Sequence, residues 1–414
     1  MNAAIYIAKR MKGDGTSVGK VSRLGTRIAT ASVAVSLFIM ILALAIVRGF
    51  KTEIEAKAIG FTGQLVMEAP GAGFVTEAVP TTTALSYYQA LAHLPEVASI
   101  QPVATANGII RTEEAIQGVS LKGVGPSFQW TFFEQALTEG HLPNVADTVP
   151  STEVLISARL SSMLQLGCGD VFTMYFIGDN VRVRKFSVSG IYDAQLEDLD
   201  NHLLVGDIRQ SQKINGWRPD QVSGVEFFLR KGIDMDRGQR LVEDYIFAHA
   251  TEEDPGVVLR NVKYVYVHLY DWLALMHTNV WILLALMVLV AGFNMISGLL
   301  IMLFEKTSMI GLLKGVGMKD KDVRFCFLYR SAGIVGKGVA IGTLLAVAFC
   351  WVQQTTHFIR LNPINYFVDR VPIHLTPLDV VGVALGGMVL ILLILNIPLR
   401  SITRVSPSEA IRMR

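Results

Sequence analysis

The stretch IATASVAVSLFIMILALAIV, residues 28–47, contains no charged side chain. At about 20 residues it is long enough, as a helix, to cross the roughly 30 Å hydrocarbon layer of a bilayer. Residues 281–303, 333–352 and 380–395 form similar apolar runs, the one from 333 interrupted only by Lys337. Between the first and second runs lies a polar stretch far too long and too charged to be a loop. The spacing predicts a membrane α-helical protein with four transmembrane helices and a large α+β domain inserted between helices 1 and 2. The predicted order is an amino-terminal segment 1–27, helix 1 at 28–49, the domain at 50–271 and helix 2 at 272–304. A loop 305–325, helix 3 at 326–354, a loop 355–378, helix 4 at 379–398 and a tail 399–414 follow.

Composition agrees with a chain divided between membrane and water, at 51% hydrophobic residues and a mean hydropathy of +0.43. The net charge of +2 hides an asymmetry. Lys9, Arg10, Lys12, Lys20, Arg23 and Arg27 precede the first run against Asp14 alone. Lys306, Lys314, Lys319, Lys321, Arg324 and Arg330 crowd the stretch between the second and third runs, and Arg400, Arg404, Arg412 and Arg414 follow the fourth. The large domain is acidic on balance. Short basic loops stay in the cytoplasm, so both termini and the 304–332 loop are expected inside and the domain outside.

The first run is longer than the apolar core of a secretory signal, and no small-residue cleavage site precedes the domain, so it is expected to remain as an anchor. The cysteines, Cys168, Cys326 and Cys350, are odd in number and scattered, and form neither a disulfide framework nor a metal cluster.

The domain contains a pattern that recurs. Residues 64–68 and 97–103 are strand-like around a helical period at 84–94; residues 222–229 and 256–260 are strand-like around one at 234–248. Two β-α-β units so far apart suggest one α/β subdomain, about 50–127 and 217–263, split by a β-rich insert at about 128–216. Within the insert, 171–176 and 181–188 are expected to pair through the turn at 178–180. Tyr264, Tyr266, Tyr270, Trp272 and Trp281 lead into the second run like an interfacial aromatic belt.

Catalytic motifs are missing. GTSVGKVS at 15–22 approaches a phosphate-binding loop, but its first gap is a residue short and Val21 stands where the hydroxyl belongs. The eight histidines show no ligand spacing and no HExxH, and no GxSxG elbow occurs. Glu197, Asp198, Asp200 and His202 form one acidic cluster, open to three readings: a solvated loop, a partner contact or a cation site. No catalytic residue, metal, cofactor or nucleic-acid partner is expected.

The 305–325 loop carries the most specific signal. In EKTSMIGLLKGVG (305–317), Met309, Ile310, Leu312, Leu313 and Val316 give a helix an apolar stripe with a basic remainder. A basic loop resting on lipid would satisfy the charge. So many apolar residues outside the bilayer want a protein groove instead. Asp320 or Asp322 is placed to start a second short helix along the membrane surface.

FNMISGLLIMLFEKTSMIGLLKGVGMKDKDVRFCFLYR (293–330) resembles the second span and cytoplasmic loop of lipoprotein-releasing, Lol-type ABC transporter permeases. IAKRM (7–11) with TRIATASVAVSLFIMILALAIVRGF (26–50), GIYDAQLEDLDNHLLVGDIRQSQKINGW (190–217), FIRLNPINYFVDRVPIHLTPLDVV (358–381) and VSPSEAIRMR (405–414) resemble other segments of that family, in order along the chain. The wider family includes macrolide exporters and cell-division permeases. The resemblance implies a bacterial inner-membrane, multi-pass permease with a periplasmic domain, working with two copies of a separate cytoplasmic ATPase subunit and a second permease, identical or paralogous. Its substrate would be a lipoprotein drawn from membrane lipid and passed to a periplasmic carrier. An exporter for another envelope substrate, or a regulator of a periplasmic cell-wall hydrolase, are the alternatives.

On that footing Glu305, Lys306, Ile310, Gly311, Leu313, Lys314, Gly317 and Arg324 are expected to couple to the ATPase, with Ile310 and Leu313 as apolar knobs and Lys314 and Arg324 as rim charges. Met40, Val47, Phe50 and Asn294 are expected at the substrate cavity, Asn294 alternatively bonding between helices. Lys337 is placed to snorkel to the headgroups, to pair with a neighbouring helix or to act in transport. One departure stands out: the segment 174–185 is a tight turn where carrier-binding permeases project a long hairpin.

Overall fold

The computed structural model describes residues 17–72, 79–113, 115–176, 181–196 and 200–399, without side-chain detail at 17–24, 364 and 365. The amino-terminal basic segment, the turn at 178–180, Glu197, Asp198 and the 405–414 motif lie outside the described residues. Two compact units emerge, one holding the spans, the other comprising Glu53–Asp271 with Leu361–Asp369.

Four helices among the described residues are long and apolar enough to cross a membrane: Gly25–Thr62, Val267–Glu305, Asp320–Thr356 and Pro377–Leu399. Each overshoots its apolar run, because helical hydrogen bonding continues past the point where hydropathy falls. The fourth begins where its sequence dictates. Thr376 and Asp379 exchange backbone N–H donors at 3.3 Å each, and Pro377 occupies the first helical position. The third span begins at Asp320, so the expected second surface helix is instead the first turns of that span. Nothing between Asp320 and Thr356 breaks the helix.

The spans share a core of Val33 and Leu37 from the first, Met295 and Leu299 from the second, Val335 from the third and Ile391 and Leu395 from the fourth. The first and third spans cross closely at Gly338 and Gly342 on the third. A Cβ on Gly342 would strike the Ala34 carbonyl, so only glycine admits this approach. At the far end of the first span, Arg48 pairs with Asp379, and His374 N–H donates to Ala45 O at 3.1 Å.

In the second unit, β1 (Leu65–Glu68) lies between β12 (Val258–Asn261) and β11 (Gly224–Leu229), both antiparallel to it. A helix, Met235–His249, covers this part, capped by the Asp234 carboxylate accepting from Asp236 and Arg237 N–H at 3.1 Å. Val242 on that helix meets Leu65, Phe227 and Leu259 in one core. The helix expected over 84–94 shrinks to one turn, Tyr88–Leu91. The cause is upstream: Asp254 takes the Ser86 N–H at 2.9 Å and its hydroxyl at 2.7 Å, and Pro95 closes the other end. A two-strand patch, β2 (Thr81–Thr82) with β10 (Gln221–Val222), lies beside it.

The boundary between subdomain and insert is drawn differently from the sequence expectation. β3 (Val97–Arg111) runs 15 residues and serves both parts, pairing β11 with its first half and β4 (Ile116–Val124) with its second. From β4 the ladder passes to β9 (Leu203–Asp207), β6 (Glu153–Ser157), β8 (Arg182–Tyr192) and β7 (Val171–Phe176), and β7 returns to β3 at Ile109 and Ile110. Six strands therefore close into a ring around Ile110, Leu121, Ile156, Met174, Phe186 and Leu204. Gly108 lets β3 and β7 touch, since a Cβ there would lie 2.8 Å from the Tyr175 carbonyl. Closure removes edges from these strands; β5 (Leu137–Gly140) hangs on β8.

Candidate functional site

The second span stops at Glu305, and the chain turns at Lys306 into a short helix, Thr307–Gly315. The Thr307 hydroxyl donates back to Leu303 O at 3.1 Å and Phe304 O at 2.8 Å, anchoring the turn to the span. At the other end Gly317 adopts φ +93°, Met318 N–H reaches Leu313 O and Gly317 N–H reaches Lys314 O, both at 3.0 Å. That pair of bonds is a Schellman stop, and it requires a residue at ease in the left-handed region.

The apolar stripe divides into two sides. Ile310 is 1% exposed, packed with Met302, Leu303, Val323 and Phe327, and Gly311 is buried beside it. Ile310 is therefore not a free knob, because it is what holds the short helix against the spans. Leu313 is half-buried. The exposed apolar side chains are Leu312 and Val316, at 64% and 83%. Residues 309, 312, 313 and 316 follow one helical face; sequence periodicity finds that face and leaves open which neighbouring side is packed. Lys314 is also placed differently from expectation: its ammonium sits 3.0 Å from Asp320 Oδ1, with the side chain 9% exposed. It is committed within the chain, whereas Lys306 is half-buried. Glu305 Oε2 and Arg324 Nε are buried atoms with no hydrogen-bond partner among the described residues.

Of the residues expected at the cavity, Met40 and Phe50 are both 5% exposed. Met40 packs with Val280, Leu284 and Val288 of the second span, with Val47 beside them. Asn294 donates from Nδ2 to Ser32 Oγ at 2.6 Å, bonding the second span to the first. Lys337 is exposed, next to the buried Gly338.

In the α/β unit the two described members of the acidic cluster differ, Asp200 being buried and His202 exposed. Asp200 is 4% exposed, its carboxylate accepting from Leu196 N–H at 3.1 Å, and burial raises its carboxyl to about 7, with Asp193 pushing the same way. His202 Nδ1 lies 3.0 Å from the Gly118 carbonyl. No group of metal-binding side chains occurs among the described residues. Sequence reasoning also missed Lys122, which donates to Phe61 O at the end of the first-span helix and to Glu226 Oε1 at 2.6 Å. Its signal was weak, one lysine in an otherwise apolar strand, SLKGV.

Residues 26–245 match the family model described as the MacB-like periplasmic core domain, and residues 281–407 match the FtsX-like permease C-terminal model. The chain belongs to the family of membrane permeases built on that periplasmic core domain, and the domain between its first and second spans is periplasmic. It is similar to the lipoprotein-releasing system transmembrane protein LolC of Xylella fastidiosa, 22% identical over 98% of this chain and 96% of that one. It is also similar to LolE of Haemophilus influenzae, 21% identical over 99% of each. Among solved structures, the periplasmic region of MacB from Actinobacillus actinomycetemcomitans aligns at 13% identity over 51% of this chain and 96% of that one, with a TM-score of 0.36.

Proposed function

We propose that this permease is the membrane subunit of a lipoprotein-releasing ABC transporter of the bacterial inner membrane, with both termini in the cytoplasm. In this reading it works with a second permease and two copies of a separate ATPase, and catalyses no reaction itself. It draws a lipoprotein from the outer leaflet and passes it to a periplasmic carrier. The observation that carries the reading is likeness along nearly the whole chain to permeases named for lipoprotein release. The basic loops support the orientation.

The short helix 307–315 is the contact for the ATPase. Ile310 fixes it to the spans, while Leu312 and Val316 are presented outward with Leu313 between. A stroke delivered there enters the second and third spans, because their helices begin or end within a few residues of it. Met40 and Val47, packed against the second span, and Asn294, bonded to Ser32, form a seam that separates to admit the lipid-modified end of the substrate.

Affinity purification of the full chain from its own membranes tests the reading. An ATPase, a permease and a triacylated lipoprotein are expected, with ATP-dependent release of the lipoprotein from proteoliposomes. Recovery of a cell-wall hydrolase in place of the lipoprotein would overturn it.

A further inference from the structure

The loop between the third and fourth spans is part of the periplasmic domain rather than of the spans. Leu361–Asp369 belongs to the compact unit of the domain, so the chain passes between the two units four times, once beside each span. The loop folds back on itself: Leu361 N–H donates to Asp369 O and Phe367 N–H to Pro363 O, both at 2.8 Å. Its second half is drawn into the domain. Val368 is 3% exposed, and Phe367 packs against the core that holds Phe61, Phe133, Tyr192 and Leu196.

One lysine ties this loop to the rest of the domain. Lys57 lies on the first-span helix one turn before Phe61, so the two side chains share a face. Its ammonium donates to Phe367 O at 2.7 Å and to Gln195 Oε1 at 2.9 Å. Three segments remote in sequence, 53–62, 193–200 and 361–369, therefore meet at one nitrogen. Gln195 and Phe367 both adopt the left-handed region, at φ +61° and +59°, which residues with a side chain keep only where their surroundings hold them there. Gln195 is held from both sides: its own N–H donates to Asp193 Oδ1, and Leu196 N–H donates to the Asp200 carboxylate, each at 3.1 Å. Burial opposes the charge on the ammonium, while the carboxylates of Glu53, Asp193, Asp369 and Asp200 favour it. A charged donor makes both bonds stronger than neutral ones would be.

We propose that Lys57 is the clasp that makes the 361–369 loop move with the periplasmic domain as one body. The loop is continuous with the third and fourth spans, so a displacement of the clasped domain pulls on all four spans. Unclasped, the loop is a passive connector, and only the first and second spans feel the domain directly. The clasp is a property of the fold and does not depend on the transport reading above.

Hydrogen exchange, read by mass spectrometry on the full chain purified with the subunits that accompany it, tests the clasp. Lys57→Met keeps the length of the side chain and removes the donor. It should speed exchange across 361–369 roughly tenfold or more, the worth of bonds to a charged group. Exchange in the strands Val97–Arg111 and Gly224–Leu229, remote from the clasp in the sheet, should stay as in the wild type. If Lys57→Met fails to fold, Gln195→Gly carries the test, since it removes one acceptor and suits the left-handed backbone; a severalfold rise in the loop is expected. Loop exchange left unchanged by the variant would overturn the proposal. A matching rise in the two strands would overturn it as well, because Lys57 would then support the whole domain. So would a rise in the wild-type loop during ATP turnover, which would show loop and domain parting as the protein works.

Discussion

Lys122 Nζ lies 2.6 Å from Glu226 Oε1, joining β4 to β11 across the full width of β3, with both side chains at most 5% exposed. The same ammonium donates to the Phe61 carbonyl and stands 5.5 Å over the Phe128 ring. A cation at a helix carboxyl end is favourable, so one lysine ties the end of the first-span helix to the centre of the periplasmic sheet. Burial pushes the Glu226 carboxyl up, and the Lys122 charge opposes that push.

Removing one partner strands a buried charge. Lys122→Met is expected to cost about 3–5 kcal/mol, while the double change Lys122→Met with Glu226→Leu should recover most of it. Thermal unfolding of the full protein in detergent reads both. Equal losses in the single and double variants would show that the pair itself contributes little.

Asp200 makes stability depend on pH in an unusual direction. Its folded pKa of about 7 exceeds the unfolded value near 4, so the folded state binds the extra proton. The contribution is fully present below about pH 4 and is lost as pH rises through about 7. Asp200→Asn keeps an acceptor for Leu196 N–H and carries no charge. Relative to wild type it should gain roughly 1–3 kcal/mol between pH 4 and pH 8. A constant difference across that window counts against a buried, titrating Asp200.

The two sides of the 307–315 helix should separate by phenotype. Ile310→Glu places a charge in the span core and is expected to prevent stable accumulation in the membrane. Leu312→Glu alters an exposed position, so the protein should accumulate normally while retaining at least tenfold less ATPase in pull-down. Normal ATPase recovery by Leu312→Glu, and by the same change at Val316, would remove this helix from the interface.

Gly342 tests the crossing of the first and third spans. A leucine there meets the Ala34 carbonyl and the Leu37 side chain, and overpacking of this kind costs about 1–3 kcal/mol. Gly386→Leu, at a glycine whose Cβ would meet nothing within 4 Å, should be near neutral by the same melting assay.

The four spans, the inserted domain and the two ends of the Met235–His249 helix were legible because each is a one-dimensional property. Span length follows from bilayer thickness, and Asp234 caps its helix through neighbours two and three residues away. The helix expected at 84–94 failed for the opposite reason, since Asp254, far along the chain, competes for the Ser86 donors. The six-strand ring was illegible because β3 is one unbroken strand of 15 residues, and periodicity cannot say that its two halves pair with different strands.

The same division runs through the candidate site. Residues 305–317 announced an apolar, basic helix, since helical period is local. That Ile310 is core, that Leu312 and Val316 face outward and that Lys314 is spent on Asp320 were decided by the packing of the second and third spans around the short helix. Sequence alone determined the number of spans and the protein's family likeness. Tertiary structure alone decided which side of each amphipathic helix is free, because a hydrophobic stripe specifies that it must be buried but not by what.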